Sequence, residues 1–377
     1  MIVYWSMIVW ISAWGILSSL YNQKNNINSN RIESEKITFM WAFIIFSVII
    51  FFVGLRSGIA DTSTYIDIFK SYPTEYNEIK ANFFNENDRD LGFKLISMLI
   101  KVFISNDFHV WLFIIATISG LATMIPLQKY SCDFKVSILI FILSCKFTWL
   151  LNGMRQYLAA SIIFMCTPLI LKRKTNIYIL IILLLSTIHK TALIMIPAYF
   201  IVKEKAFSKK TYIFTIIILI IILLGDKFTE ILNIFIEDTS YGEAISNLSI
   251  TDDGPNLLRI IAESVPIIIA FIYRDKIKEI ATPIIHLSIN MSLITTGLYI
   301  VSKVARSGIM LGRLPIYFSL YNLILLPWLI HNLFNKKEKR LVMYIMLVSY
   351  FIYFYVEMYM AWGGLGYISD ILKIDIR

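Results

Sequence analysis

Five stretches of the 377-residue chain place charged or polar groups at the edge of, or inside, strongly apolar runs. The first, G-L-R-S-G-I-A-D-T-S-T-Y, carries Arg56, Asp61 and Tyr65. The second, L-N-G-M-R-Q, carries Asn152, Gly153, Arg155 and Gln156, and the third, S-T-I-H-K-T-A, carries His189 and Lys190. Arg259 and Glu263 lie one helical turn apart in a fourth. The fifth, K-V-A-R-S-G-I-M-L-G-R-L-P-I-Y-F, carries Lys303, Arg306, Arg313 and Tyr317. Arginine binds phosphate through planar, paired hydrogen bonds and stays charged when desolvated. Several arginines gathered at one face therefore point to a polyanion, phosphate or pyrophosphate. Arg155 falls in the first turn of a helix, where the dipole favours anions, so a cation there is best explained by a bound anion. Arg56 reads equally as a ligand contact or as a snorkelling helix anchor. His189 suits a base near neutral pH but also a plain turn residue. Arg259 and Glu263 either neutralise each other or hold Arg259 for a ligand.

These groups are set among apolar helices. Hydrophobic residues make up 58% of the chain and charged residues only 16%, too little polar surface to cover a water-soluble fold. Crossing a bilayer takes about 20 apolar residues. Twelve segments qualify or come close: 1–20, 37–55, 109–127, 136–151, 153–171, 175–188, 190–202, 211–224, 257–273, 283–301, 314–331 and 341–360. The expected fold is an all-α polytopic membrane protein forming one transmembrane domain, with ten to twelve spans. Met1 to Leu20 lacks a basic leader and reads as a retained span.

Every second connection is basic. Residues 21–36, 128–135, 172–174, 203–210, 274–280 and 332–340 hold 19 of the 35 Lys and Arg but only seven of the 26 Asp and Glu. By the positive-inside rule these connections are cytoplasmic. The net charge of +9 thus reports orientation, not nucleic-acid binding. Loops 56–108, 225–256 and 302–313 then lie outside, with both termini. Within the first of them, Asp90, Lys94, Ser97, Lys101 and Ser105 form one helical stripe, which predicts an amphipathic helix near 91–105 lying on the outer interface. Cys132, Cys145 and Cys166 match no metal motif, and neither a Walker loop nor a dinucleotide turn occurs. No metal or other cofactor is expected.

The order G-L-R, D-T-S-T-Y, L-G-F-K-L, L-N-G-M-R-Q-Y-L-A, I-H-K-T-A-L-I-M-I-P resembles the EpsG family of Wzy-type polysaccharide polymerases. The motifs cover about 56 to 197, with R-L-P-I-Y-F extending the likeness to about 320. This chain has Ala60 where the family pattern has glycine directly before the aspartate. The resemblance implies an enzyme of the bacterial inner membrane that joins undecaprenyl-pyrophosphate-linked repeat units of O-antigen or exopolysaccharide at the periplasmic face. It implies a lipid partner and a protein that sets chain length. Under it, Asp61 and His189 are the candidate catalytic bases. Arg56, Arg155 and Gln156, at the family's motif positions, are pyrophosphate contacts; the charge reading adds Arg259, Arg306 and Arg313 to them, with Tyr65, Asn152 and Tyr317 as the sugar contacts. Competing readings are an O-antigen ligase-like transferase, a lipid-linked oligosaccharide flippase or transporter, and a scaffold subunit without chemistry. The cations cluster at one face, which counts against a transport path.

Overall fold

The computed structural model describes residues 1–27, 37–83, 90–225, 227, 254–308 and 310–376. It divides into two compact units, Met1–Leu193 with Asn335–Arg377, and Ile194–Phe334. Up to Leu193 the chain forms α1 (Ile2–Ile27), α2 (Phe39–Gly54), α3 (Thr62–Ser71), α4 (Tyr76–Phe83), α5 (Leu91–Phe103) and α6 (Phe108–Tyr130). There follow α7 (Phe134–Leu143), α8 (Thr148–Leu151), α9 (Met154–Met165), α10 (Thr167–Leu171) and α11 (Thr175–Ser186). A 3-10 turn, Lys190–Ile194, closes this stretch. Local sequence sets several starts: Asp107 caps α6 through His109 N–H (2.8 Å), and Asp133 caps α7 through Val136 N–H (3.2 Å).

The second unit contains α12 (Met195–Val202), α13 (Lys209–Leu224), α14 (Leu257–Ile272), α15 (Arg274–Ile280), α16 (Pro283–Val304), α17 (Ile316–Ser319) and α18 (Asn322–Leu333). Asn256 caps α14, and Pro283 opens α16, where its missing N–H costs nothing. The buried Asn290 donates to the carbonyls of Val202 (3.4 Å) and Glu204 (2.8 Å), tying α16 to the end of α12. The chain then returns to the first unit with α19 (Lys336–Val356), started by a capping box of Asn335 and Glu338. A π-turn, Glu357–Ala361, leads into a two-stranded antiparallel hairpin, β1 (Tyr367–Ser369) and β2 (Ile374–Ile376).

The protein is a helical membrane protein to which this hairpin is the one strand-forming addition among the described residues. Each of the twelve apolar segments contains helix. Among the described residues, four stretches are long and apolar enough to cross a membrane: Ile2–Gln23, Phe108–Tyr130, Pro283–Val304 and Lys336–Met360. A fifth arises if Leu311–Ser319 and Asn322–Leu333, bent by 53°, count as one. The remaining segments are shorter or broken; 136–151 is split between α7 and α8, and 153–171 between α9 and α10.

Among its described residues the outer segment 56–108 carries α3, α4 and α5. The helix expected near 91–105 forms as α5, but its polar stripe faces inward. Lys94, Ser97 and Lys101 are buried, whereas Leu91, Leu95, Leu99 and Phe103 are exposed. The stripe has partners inside: Lys101 Nζ donates to the carbonyls of Phe69 (3.0 Å), Lys70 (2.8 Å) and Tyr72 (2.5 Å) at the end of α3. A cation there complements a helix C-terminus. Ser97 Oγ accepts from Trp111 Nε1 at 3.1 Å. Of the outer loop 225–256, residues 226 and 228–253 lie outside the described residues.

Candidate functional site

The start of α9 is the point on which the sequence motifs meet. α8 ends at Leu151, and Gly153 sits at the cap of α9 with φ of 86° and ψ of 35°. That left-handed conformation favours glycine, which explains the glycine of L-N-G-M-R-Q. Because Gly153 has no side chain to cap α9, the helix's first N–H groups look outward. One of them, Gly153 N–H, points at Asp61 Oδ2 at 3.4 Å. The carboxylate thus sits where the helix dipole favours negative charge.

Two residues on, Arg155 spreads its fork between two acceptors. Nε donates to the Tyr65 hydroxyl at 3.3 Å, and Nη1 pairs with Asp90 Oδ2 at 2.8 Å. The guanidinium also lies 5.4 Å from the Tyr65 ring centroid, a cation–π distance. Tyr65 is buried, which pushes its phenol above the ordinary tyrosine value against the opposing pull of Arg155. Asn152 precedes the cap, half-buried, with its N–H on the Thr148 carbonyl (2.8 Å). Gln156, buried, donates to Thr191 Oγ1 at 3.1 Å, and His189 Nδ1 lies 2.7 Å from that same oxygen. Gly92 brings L-G-F-K-L to the same place. Its N–H donates to the Thr187 carbonyl (2.8 Å), and a Cβ there would fall 2.9 Å from the Thr187 carbonyl carbon. The end of α11, which carries the chain into His189, is thereby set against α5.

Arg56 belongs to this assembly in another way. It is 1% exposed. Nη1 donates to the Val53 carbonyl, Nε to Thr62 Oγ1 (3.0 Å), and Nη2 to Met154 Sδ (3.4 Å). Burial pushes the guanidinium's pKa down and the nearby Asp61 carboxylate pulls it back up. With every nitrogen engaged by protein, Arg56 ties the end of α2 to α3 and α9; the sequence left it between a helix anchor and a ligand contact, and the family resemblance placed it on pyrophosphate. The turn it stands in contains Ala60 at φ of 48°, so the conformation that suits glycine forms here with alanine.

In the second unit, Arg306 and Arg313 are exposed, Arg306 at φ of 49° and Arg313 in the 3-10 turn Leu311–Arg313. Arg259 is half-buried on α14. Glu263, one turn on, is buried and accepts from Asn322 Nδ2 at 2.8 Å, which joins α14 to α18. Tyr317 is 1% exposed, so its ring is packed inside the unit and not presented to a sugar as the sequence reading expected.

A family model, that of the EpsG family, matches residues 39–368. The chain belongs to the EpsG family. EpsG is a Wzy-like polymerase family associated with polysaccharide polymerisation, a glycosyltransferase-like activity. No curated protein and no solved structure matches the chain.

The EpsG match runs from the first residue of α2 to β1 and so contains every group placed above. Two members of this EpsG site were not singled out from sequence. Asp90 read only as one rung of the α5 stripe; its signal was position, since it directly precedes L-G-F-K-L and lies at the helix cap with φ of 60°. Thr191 read as part of I-H-K-T-A, and nothing in its type showed that it joins His189 to Gln156. Among the described residues no group of three or more His, Cys, Asp or Glu could hold a metal ion.

Proposed function

We propose that this EpsG-family chain joins oligosaccharide repeat units carried on undecaprenyl pyrophosphate, working at the outer leaflet of the bacterial inner membrane. One observation carries the reading: Asp61, Tyr65, Asp90, Arg155, Gln156 and His189, drawn from four separated motifs, are all linked to the first turn of α9. The shorter apolar helices also cross the bilayer in this reading, bringing the crossings toward ten to twelve. The basic connections then face the cytoplasm. A hairpin beyond the last span that packs on the turn after α2 supports one shared side for both segments.

In the reaction, a hydroxyl of the acceptor unit attacks the anomeric carbon of the donor. The new glycosidic bond forms as the bond to pyrophosphate breaks, and lipid pyrophosphate leaves with the electron pair. Arg155 stabilises that leaving charge. Its side chain is one-third exposed, at 33%, which leaves the fork reachable for phosphate in place of Asp90. Arg259, Arg306 and Arg313 keep the proposed role of phosphate contacts, and Gln156 acts through Thr191. His189, held by Thr191 through Nδ1 at 2.7 Å, takes the hydroxyl proton. Asp61, set against Gly153 N–H at 3.4 Å, is the other candidate base. Tyr65 holds Arg155, and Asn152 is the remaining sugar contact. No metal is required where arginine neutralises the leaving group.

The test is a deletion strain whose surface glycan is run on a gel beside strains complemented with the wild-type gene or with Arg155→Ala. The expected result is a ladder collapsed to one repeat unit, restored by wild type and not by Arg155→Ala. An unchanged ladder in the deletion strain would overturn the reading, and loss of all surface glycan would favour a flippase or ligase.

A further inference from the structure

The hairpin that follows α19 touches the candidate site at its least expected point. A helix leaves its last carbonyls without intrahelical partners. At the end of α2 the carbonyls of Phe52, Val53 and Leu55 are met by side chains, beyond the helix's own last bond. Leu55 N–H takes the Phe51 carbonyl (3.0 Å), and Arg56 Nη1 takes that of Val53. The Tyr367 hydroxyl donates to the Phe52 carbonyl at 2.8 Å, and Ser369 Oγ to the Leu55 carbonyl at 2.5 Å. The hairpin also accepts from the turn: the N–H groups of Ser57 (2.8 Å) and Gly58 (3.3 Å) both point at the Ile368 carbonyl. Asp370 N–H completes the seam by donating to Ser57 Oγ at 3.0 Å.

The fit is close. Tyr367 is 1% exposed and meets the Phe52 ring edge-on, with centroids 5.7 Å apart. Gly58 lies so near that a Cβ there would be 3.1 Å from Ile368 Cδ1. Ser369, also 1% exposed, accepts from Leu372 N–H (3.2 Å), so the hydroxyl that caps α2 also closes the hairpin's own turn. The sequence provides for the reversal that brings the chain here, with left-handed backbone at Gly363, Gly364 and Leu365. Glycine makes two of those three steps inexpensive. Arg56 and the hairpin side chains therefore share one helix cap, and the turn they hold runs directly into Asp61.

We propose that the hairpin 367–376 is a positioning strap for the site: through Tyr367 and Ser369 it fixes the turn 55–60, and with it the placement of Arg56 and Asp61 against the start of α9. Tyr367 and Ser369 are positioning residues that touch no substrate. The inference rests on the polymerase reading above but is separable from it.

The experiment measures initial rates of polymer formation in membranes of the deletion strain, which supply lipid-linked repeat units, carrying each variant at matched protein level. Removing both side-chain hydrogen bonds in Tyr367→Phe/Ser369→Ala is expected to slow polymer formation about tenfold, with Ser369→Thr alone close to wild type. The same pair placed in an Arg56→Lys background is expected to add less than about threefold, because residues acting as one unit are not additive. A wild-type rate from the double variant, or a full additional tenfold loss in the Arg56→Lys background, would overturn the strap. If the double variant does not accumulate in the membrane, Ser57→Cys/Asp370→Cys ties the seam covalently instead. Oxidised protein that keeps its rate supports a strap closed in the working state, and loss on oxidation reversed by reductant overturns it. Failure of wild type to make any polymer would instead refute the polymerase reading.

Discussion

Arg155→Lys keeps the charge and discards the fork, so it isolates geometry from electrostatics. Arginine here serves two acceptors from one planar group, the Tyr65 hydroxyl at 3.3 Å and Asp90 Oδ2 at 2.8 Å. A single ammonium cannot reproduce that arrangement. The lost hydrogen bond to a charged group is worth about 1.5–3 kcal/mol, and the side chain's 33% exposure puts it at the lower end through solvent screening. The cation–π contact to Tyr65 adds about 0.5–1 kcal/mol at a partly exposed site. Together these come to about 2 kcal/mol, on the order of a thirtyfold fall in rate if the same geometry meets the leaving group. The assay is the initial rate of polymer formation in membranes at matched protein level. Asp90→Asn, which retains an acceptor, should cost less than Arg155→Lys. A lysine variant that makes polymer at the wild-type rate would show that only charge matters at this position, and the argument from the fork would be lost.

Two further outcomes follow from local geometry. Ala60 holds φ of 48°, so Ala60→Gly relieves left-handed strain and should raise stability by about 1 kcal/mol, read as a higher melting temperature of the detergent-solubilised protein; a lowered melting temperature would contradict it. Thr191→Val removes the oxygen shared by Gln156 Nε2 and His189 Nδ1 with little change of shape, and should slow polymer formation while Thr191→Ser keeps it; equal rates for the two would exclude a role for that link.

The helical membrane class was legible from composition and from runs of apolar residues, because lipid allows a spanning chain few alternatives to helix. The motifs were legible too: Arg56, Asp61, Tyr65, Arg155, Gln156 and His189 were all named from residue type and from charge beside apolar sequence. Periodicity also found α5. What it could not give was which way the helix turns. In water a polar stripe faces out, whereas here the stripe is buried and the leucines are exposed. A stripe fixes one face of a helix but not what that face meets.

Partners across long separations lay beyond sequence reasoning altogether. Arg155 is 65 positions from Asp90, and Ser369 is 314 from Leu55. No spacing rule links them. Their pairing follows from which helix ends the packed core brings together, and from backbone groups that must be satisfied wherever they are buried. Arg56 shows the difference most plainly. The sequence alone determined that a cation stands at the end of α2. Only the tertiary structure decided that its nitrogens face a carbonyl, a hydroxyl and a sulfur of the protein itself, because burial leaves a guanidinium no water to turn to.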